Sequence, residues 1–169
     1  SRLWINQHQA IPMTPRFWLV TTEPQEFSLE HLRRRPQATA PWDGVRNYQA
    51  RNILRDAMRR DDRVLFYHSG KRPAVAGTAR VAREGYPDPT AWDPASAHPD
   101  PRSTPDRPVW FMVDLVFEAA FPRPVPLAEL RAHPGLEGLL LLRRGNRLSV
   151  MPVAPAHFAI SCRLGNRRS

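Results

Sequence analysis

Apolar residues come along this chain in short dense bursts separated by proline-rich breaks. Phe17 to Thr21 (FWLVT) is aromatic and β-branched and predicts a first strand, ended by Glu23-Pro24. Ser28 is placed to cap a short helix through Leu29 and Leu32, which Pro36 stops. From about Asn47 to Met58 the apolar positions Ile53, Leu54, Ala57 and Met58 follow helical spacing. Asp61-Asp62 predicts a turn, and Arg63 to His68 (RVLFYH) a second strand. Ser69 to Pro73 is a loop. Ala74 to Arg83 is a third strand, with Gly77 marking a bulge or a close approach. Val109 to Phe117 (VWFMVDLVF) is the strongest strand pattern in the chain. Phe121 to Pro126 is extended, Leu127 to Ala132 a short helix, Arg144-Gly145-Asn146 a turn, and Leu148 to Met151 a last strand. Pro155 opens a final short helix with Phe158 and Ile160 inward. Between them, Tyr86 to Pro108 holds seven prolines and four aspartates and predicts a long irregular surface loop, a class that often carries function. Nothing repeats and no βαβ alternation is present. About five strands with peripheral helices predict an α+β fold, a small twisted β-barrel or curled sheet.

The run Trp42 to Asn52 (WDGVRNYQARN) stands apart. Trp42-Asp43-Gly44 reads as a turn, because Gly tolerates positive φ and Asp bonds its own backbone. Asn47 stands where a helix N-cap is wanted. An aromatic face, Arg46 and the unpaired N–H groups of a helix start therefore meet, an arrangement suited to a base and an anion.

Charge extends that picture. The chain of 169 residues carries a formal net charge of +9, most of it in the body. Four basic residues (Arg2, Arg163, Arg167, Arg168) lie at the ends, leaving 21 against all 16 acidic residues. Only Lys71 is a lysine. Arginine stacks on bases and grips phosphate with two parallel bonds, although a GC-rich genome also writes Arg for Lys. The excess favours a polyanionic partner, namely nucleic acid. Cys162 is the only cysteine, so no disulfide within the chain and no cysteine cluster for zinc is expected; a reducing, cytoplasmic setting fits. No apolar run approaches the roughly 20 residues of a membrane helix, and no phosphate fingerprint or cofactor motif is present. Residues 1–12 lack periodicity and read as a leader or tail before Met13. One domain is expected over 13–162, and 163–169 as a basic tail.

Trp18-Leu19 with Glu23-Pro24, the WDGVRNYQARN run, Phe66-Tyr67-His68-Ser69, Tyr86-Pro87-Asp88, Trp110 to Asp114, and Leu141 to Val150 together resemble the EVE domain family of the PUA-like superfamily. The resemblance spans nearly all of residues 17–160. It implies a PUA-like barrel with helices at its rim and a non-catalytic pocket for one modified base, a modified cytosine in DNA or a modified base in RNA. Family members commonly carry Lys at the position of Thr21, so this chain departs there. Some PUA-like relatives of the ASCH group hydrolyse acylated cytidine with Lys, Thr and Glu; Thr21, Thr22, Glu23 and Lys71 are the matching residue types here. A protein-interaction role for the Tyr86–Pro108 loop is a third reading.

A base in a duplex must be everted, at a cost of a few kcal/mol. Stacking on an aromatic returns roughly 1–3 kcal/mol per base. Trp42, Trp18 and Tyr67 are the candidate stacking faces, although Trp18 and Tyr67 equally fit strand aromatics of the core. Asn47, Ser69 and the backbone around Thr21 are candidate readers of the base edge. Arg46, Arg51, Arg143, Arg144 and Arg147 are candidate phosphate contacts, the last three in one compact turn. His68 with Ser69 and an approaching Asp43 or Asp114 is a weak catalytic candidate, since no nucleophile-elbow pattern surrounds Ser69.

Overall fold

A computed structural model describes residues 16–167; Met13 and the segment before it lie outside that range. Six strands form one mixed sheet: β1 (Phe17–Thr22), β2 (Thr39–Pro41), β3 (Arg63–His68), β4 (Ala74–Pro87), β5 (Phe111–Pro126) and β6 (Val150–Val153). Their order is β2-β5-β4-β3-β1-β6. Only β1 and β3 run parallel. The helices are α1 (Leu29–Arg34), α2 (Tyr48–Asn52), α3 (Leu127–Ala132) and α4 (Pro155–Gly165). A wide π-type turn, Ile53–Ala57, continues α2.

The dense apolar bursts have a direct cause. On β1, Trp18 and Val20 enter one core, while Leu19 enters another on the opposite face. On β3, Val64 and Phe66 join the first core, and Leu65 and Tyr67 the second. Strands covered on both faces need apolar residues at every position. The first core is closed by α1, α2 and the π turn through Leu29, Leu32, Ala50, Leu54 and Met58. The second is closed by α3 and α4 through Leu130, Phe158 and Leu164. Leu164 and Gly165 are both buried, so the packed body runs past residue 162.

Several boundaries differ from the sequence reading. β4 and β5 are longer than predicted, and the proline-rich stretch to Pro126 belongs to β5. Four register shifts between β4 and β5 let these long strands bend. At Gly77 a Cβ would lie 2.1 Å from the Ala119 carbonyl oxygen, which explains the glycine predicted at a close approach. The predicted helix to Met58 changes at Ile53 into the π turn, against which Gly85 of β4 packs; a Cβ there would lie 2.5 Å from Leu54 O. The last strand begins at Val150, two residues later than predicted. The three-residue β2 lacked any visible signal beside Pro36 and Pro41.

Candidate functional site

The two parallel strands end side by side, and the chain gathers around their carboxyl ends. Ser69 N–H donates to Thr22 O at 2.9 Å, and Thr21 N–H to Ser149 O at 3.0 Å. The first amide of α1, Leu29 N–H, donates to His68 Nε2 at 3.1 Å. Beside this junction lies a cleft of about 340 Å³. Thr22 comes from β1, Glu26 and Phe27 from the turn before α1, and Arg35 from its end. Pro41, Trp42 and Asp43 follow β2, and His98 comes from the long proline-rich loop.

Trp42 is the wall of this cleft. Its amide donates to Val113 O at 2.7 Å, fixing the backbone to β5. Its ring stands edge-to-face against Phe27 (6.0 Å) and Phe66 (5.4 Å), so packing locks the indole plane. It is 8% exposed, and it is among the residues that line the cleft. Its indole N–H has no partner among the described residues.

The turn after Trp42 is held by a buried carboxylate. Asp88, fully buried, accepts from Gly44 N–H (2.9 Å), Arg46 Nη1 (3.0 Å), Thr90 N–H (2.9 Å) and Thr90 Oγ1 (2.6 Å). Burial pushes the Asp88 carboxyl up, but the bonds from Thr90, Gly44 and Arg46 outweigh it and hold it below its ordinary value. Arg46 also donates to His98 O from Nε (3.1 Å) and Nη2 (2.7 Å). One guanidinium therefore ties the Trp42 turn to the His98 segment facing it. Gly44 has φ +78°, and a Cβ there would come within 2.9 Å of His98 Cδ2. Asp43 keeps much of its surface in water, but the cleft wall on one side and then Asp88 behind it push its carboxyl above the ordinary value.

Of the predicted stacking faces, only Trp42 lines the cleft. Trp18 is a core residue whose Nε1 donates to the buried Asp62 at 2.9 Å. Asp62, predicted as turn, is thus the hub that satisfies that indole. Tyr67 lies in the second core, on the opposite face of β3. Alternation also places Thr21 on the Leu19 face and gives the cleft Thr22 instead. Asn47 caps α2 through Ala50 N–H at 2.9 Å and is otherwise exposed. Ser69 stands at the strand ends, outside the cleft lining.

The predicted phosphate contacts divide. Arg46 is committed to Asp88, Thr90 and His98. Arg51 is committed too: Nη1 donates to Val109 O at 2.6 Å, Nε to Asn52 Oδ1 at 2.9 Å, and its guanidinium lies over Tyr48. Both are struts rather than free cations. Arg143, Arg144 and Arg147 are exposed. Arg143 lines a separate cavity of about 650 Å³ with Arg131, His133 and Leu139. That cavity is the larger one; His133 is the aromatic side chain in its lining, and neither a Trp nor a Tyr or Phe contributes to it. The indole cleft and the arginine turn line separate cavities.

His68 accepts a backbone amide on Nε2, and Asp114 is engaged by the Tyr86 hydroxyl. A Ser69–His68–Asp relay is therefore not assembled. Among the described residues no group of three His, Cys, Asp or Glu side chains gathers for a metal. No helix among them is long and apolar enough to cross a membrane. His98, Phe27, Glu26 and Arg35 were missed. The period-2 count from Trp18 through Val20 already pointed to Thr22. His98 carried no signal within an irregular loop.

The mixed six-stranded sheet with short peripheral helices defines an α+β fold of the twisted, barrel-like kind. The EVE domain model matches residues 16–164, and the chain belongs to that family. Mouse thymocyte nuclear protein 1 is 41% identical over 160 residues, covering 84% of this chain and 70% of the relative. A crystal structure from Pseudomonas putida superposes with a TM-score of 0.83 at 47% identity, covering 88% of this chain and 99% of that one. The human THYN1 protein in complex with 5-methylcytosine-containing DNA superposes with a TM-score of 0.85 at 37% identity, covering 91% and 99%. A Zymomonas mobilis ASCH protein shares the fold alone, with a TM-score of 0.51 at 9% identity.

Proposed function

We propose that this domain is a non-catalytic reader of DNA that takes one everted, modified cytosine into the Trp42 cleft. The observation that carries the reading is the locked indole at the strand ends, in a fold shared with a relative bound to 5-methylcytosine DNA. A ring already immobilised by Phe27 and Phe66 loses no rotamer freedom when a base stacks on it. Glu26 and Asp43 at the rim accept from an exocyclic amine, which cytosine has and thymine lacks. A methyl group adds apolar contact of about 0.8 kcal/mol, so selection for it rests largely on the shape set by His98 and Trp42. Arg144 and Arg147, exposed on their turn, serve the sugar-phosphate backbone. A modified base in RNA is the same chemistry on another strand, and the test separates the two.

The test is a binding screen with short DNA and RNA oligonucleotides carrying single cytosine and adenine modifications. Preference for one modified cytosine should vanish in Trp42→Ala, with Trp42→Phe retaining the fold and part of the preference. Discrimination that survives Trp42→Ala in a folded protein overturns the assignment. A hydrolytic reading has one observation in its favour: a Cβ at Gly70 would lie 2.5 Å from the Glu23 carboxylate, which places Glu23 against the residue that precedes Lys71 in the chain. Product release from acetylcytidine, lost in Lys71→Ala, would establish it over the reader.

A further inference from the structure

The Trp42 cleft does not end at Phe27. A second depression of about 370 Å³, lined by Glu26, Phe27, His31, Arg34 and Arg35, shares three of those residues with the cleft. Phe27 is the ridge between them: Trp42 lies 6.0 Å from its ring on one side and His31 6.0 Å on the other. Arg35 sits on that ridge, its guanidinium carbon 5.4 Å from the ring centroid.

The charges at the end of α1 are not equivalent. Glu30 is engaged by Arg33 and, at 3.2 Å, by Arg34. Together these offset the negative carbonyl end of the helix. Arg35 has no carboxylate partner among the described residues, and its backbone N–H caps the helix on Leu32 O. Its guanidinium is thus the free cation beside the cleft, whereas Arg46 is spent on Asp88 and His98. His31 Nδ1 accepts from Ser28 N–H at 2.9 Å, so the neutral ring carries its proton on Nε2 and can donate.

Resting on the reader function above, we propose that the strand leaves the cleft over Phe27. Arg35 takes the phosphate that joins the everted nucleotide to its neighbour, and the groove along His31 and Arg34 holds that neighbour. The geometry explains how a ridge with a cation above it separates two successive nucleotides: the ring packs against the sugar-base side, and the guanidinium meets the phosphate in a two-pronged contact. Glu26 lines both depressions and so stands at their junction.

The experiment measures affinity against salt for two duplexes that differ only in one 5-methylcytosine. Arg35→Ala should weaken both duplexes by the same factor, about tenfold at low salt, and lower the salt slope by about 0.9. The preference for the methylated duplex should be unchanged. Arg35→Lys should keep the slope with a smaller loss, since charge survives and the fork does not. An unchanged slope in Arg35→Ala, or a loss confined to the methylated duplex, makes Arg35 a cleft wall and overturns the proposal. If the wild-type protein shows no methyl preference, the reader function falls. A slope reduced in Arg35→Ala would then still support the phosphate track.

Discussion

Replacing Asp88 by Ala tests how the cleft is held in shape. The carboxylate is fully buried and accepts four hydrogen bonds, two from Thr90, one from Gly44 and one from Arg46. Its removal strands the Gly44 amide and the Arg46 guanidinium. Breaking a buried ion pair by deleting one partner costs 3–5 kcal/mol. The Arg46 side chain is 21% exposed and keeps its bonds to His98 O, so the lower end applies, about 3 kcal/mol. In a domain of this size each kcal/mol lowers Tm by roughly 2–4 °C, which gives a fall of about 6–12 °C. Urea unfolding followed by tryptophan fluorescence measures the loss directly. Binding should weaken as well, because the Trp42 turn and the His98 segment lose their common anchor. A loss under about 1 kcal/mol would show that the turn holds its shape without the carboxylate, and the argument would fail. The wild-type protein should also lose stability in acid: the Asp88 carboxyl lies below its unfolded value, so its contribution is complete above about pH 3.9 and disappears as pH falls through the folded value.

His68 gives a second pH dependence, at higher pH. Burial holds its imidazole below the ordinary 6.5, and neutral Nε2 accepts the Leu29 amide. Below that pH the unfolded chain takes a proton that the folded chain refuses, so stability should fall from about 6.5 downward; His68→Gln should flatten that part of the pH profile. Gly44→Ala should cost 1–3 kcal/mol through positive φ, and it should reduce base binding by displacing the His98 ring, both readable in one titration of a folded variant. Asp62→Ala should destabilise by about 3 kcal/mol, because it orphans the Trp18 indole and two backbone amides, yet leave selectivity intact. Arg46→Ala should weaken binding without altering its salt slope; a slope lowered by about 0.9 would return Arg46 to the phosphate contacts.

The strands and helices were legible wherever packing imposes a local pattern. FWLVT and RVLFYH are unbroken because both faces of β1 and β3 are covered, and Ser28 and Asn47 cap where their side chains dictate. The site was only half legible. Trp42 declared itself through the turn that follows it. Trp18 and Tyr67 share its chemistry but stand on strands whose alternation sends them into the two cores. Arg46 looked like a free cation because Asp88, 42 residues on, cannot be paired with it from spacing. His98 lies in a segment without periodicity, so only the folded contacts place it across from Trp42.

The Arg46 tether has a further consequence. One side of the cleft is rigid, its indole backed by β5 and two phenyl rings. The facing side is a residue on a proline-stiffened excursion that belongs to neither β4 nor β5 and is moored through its main-chain carbonyl. Because the mooring uses backbone, the Arg46 bonds to position 98 do not depend on which side chain stands there. The aperture opposite the indole is therefore tunable by single substitutions at that position, and on the proposed reader function so is the choice of altered nucleobase.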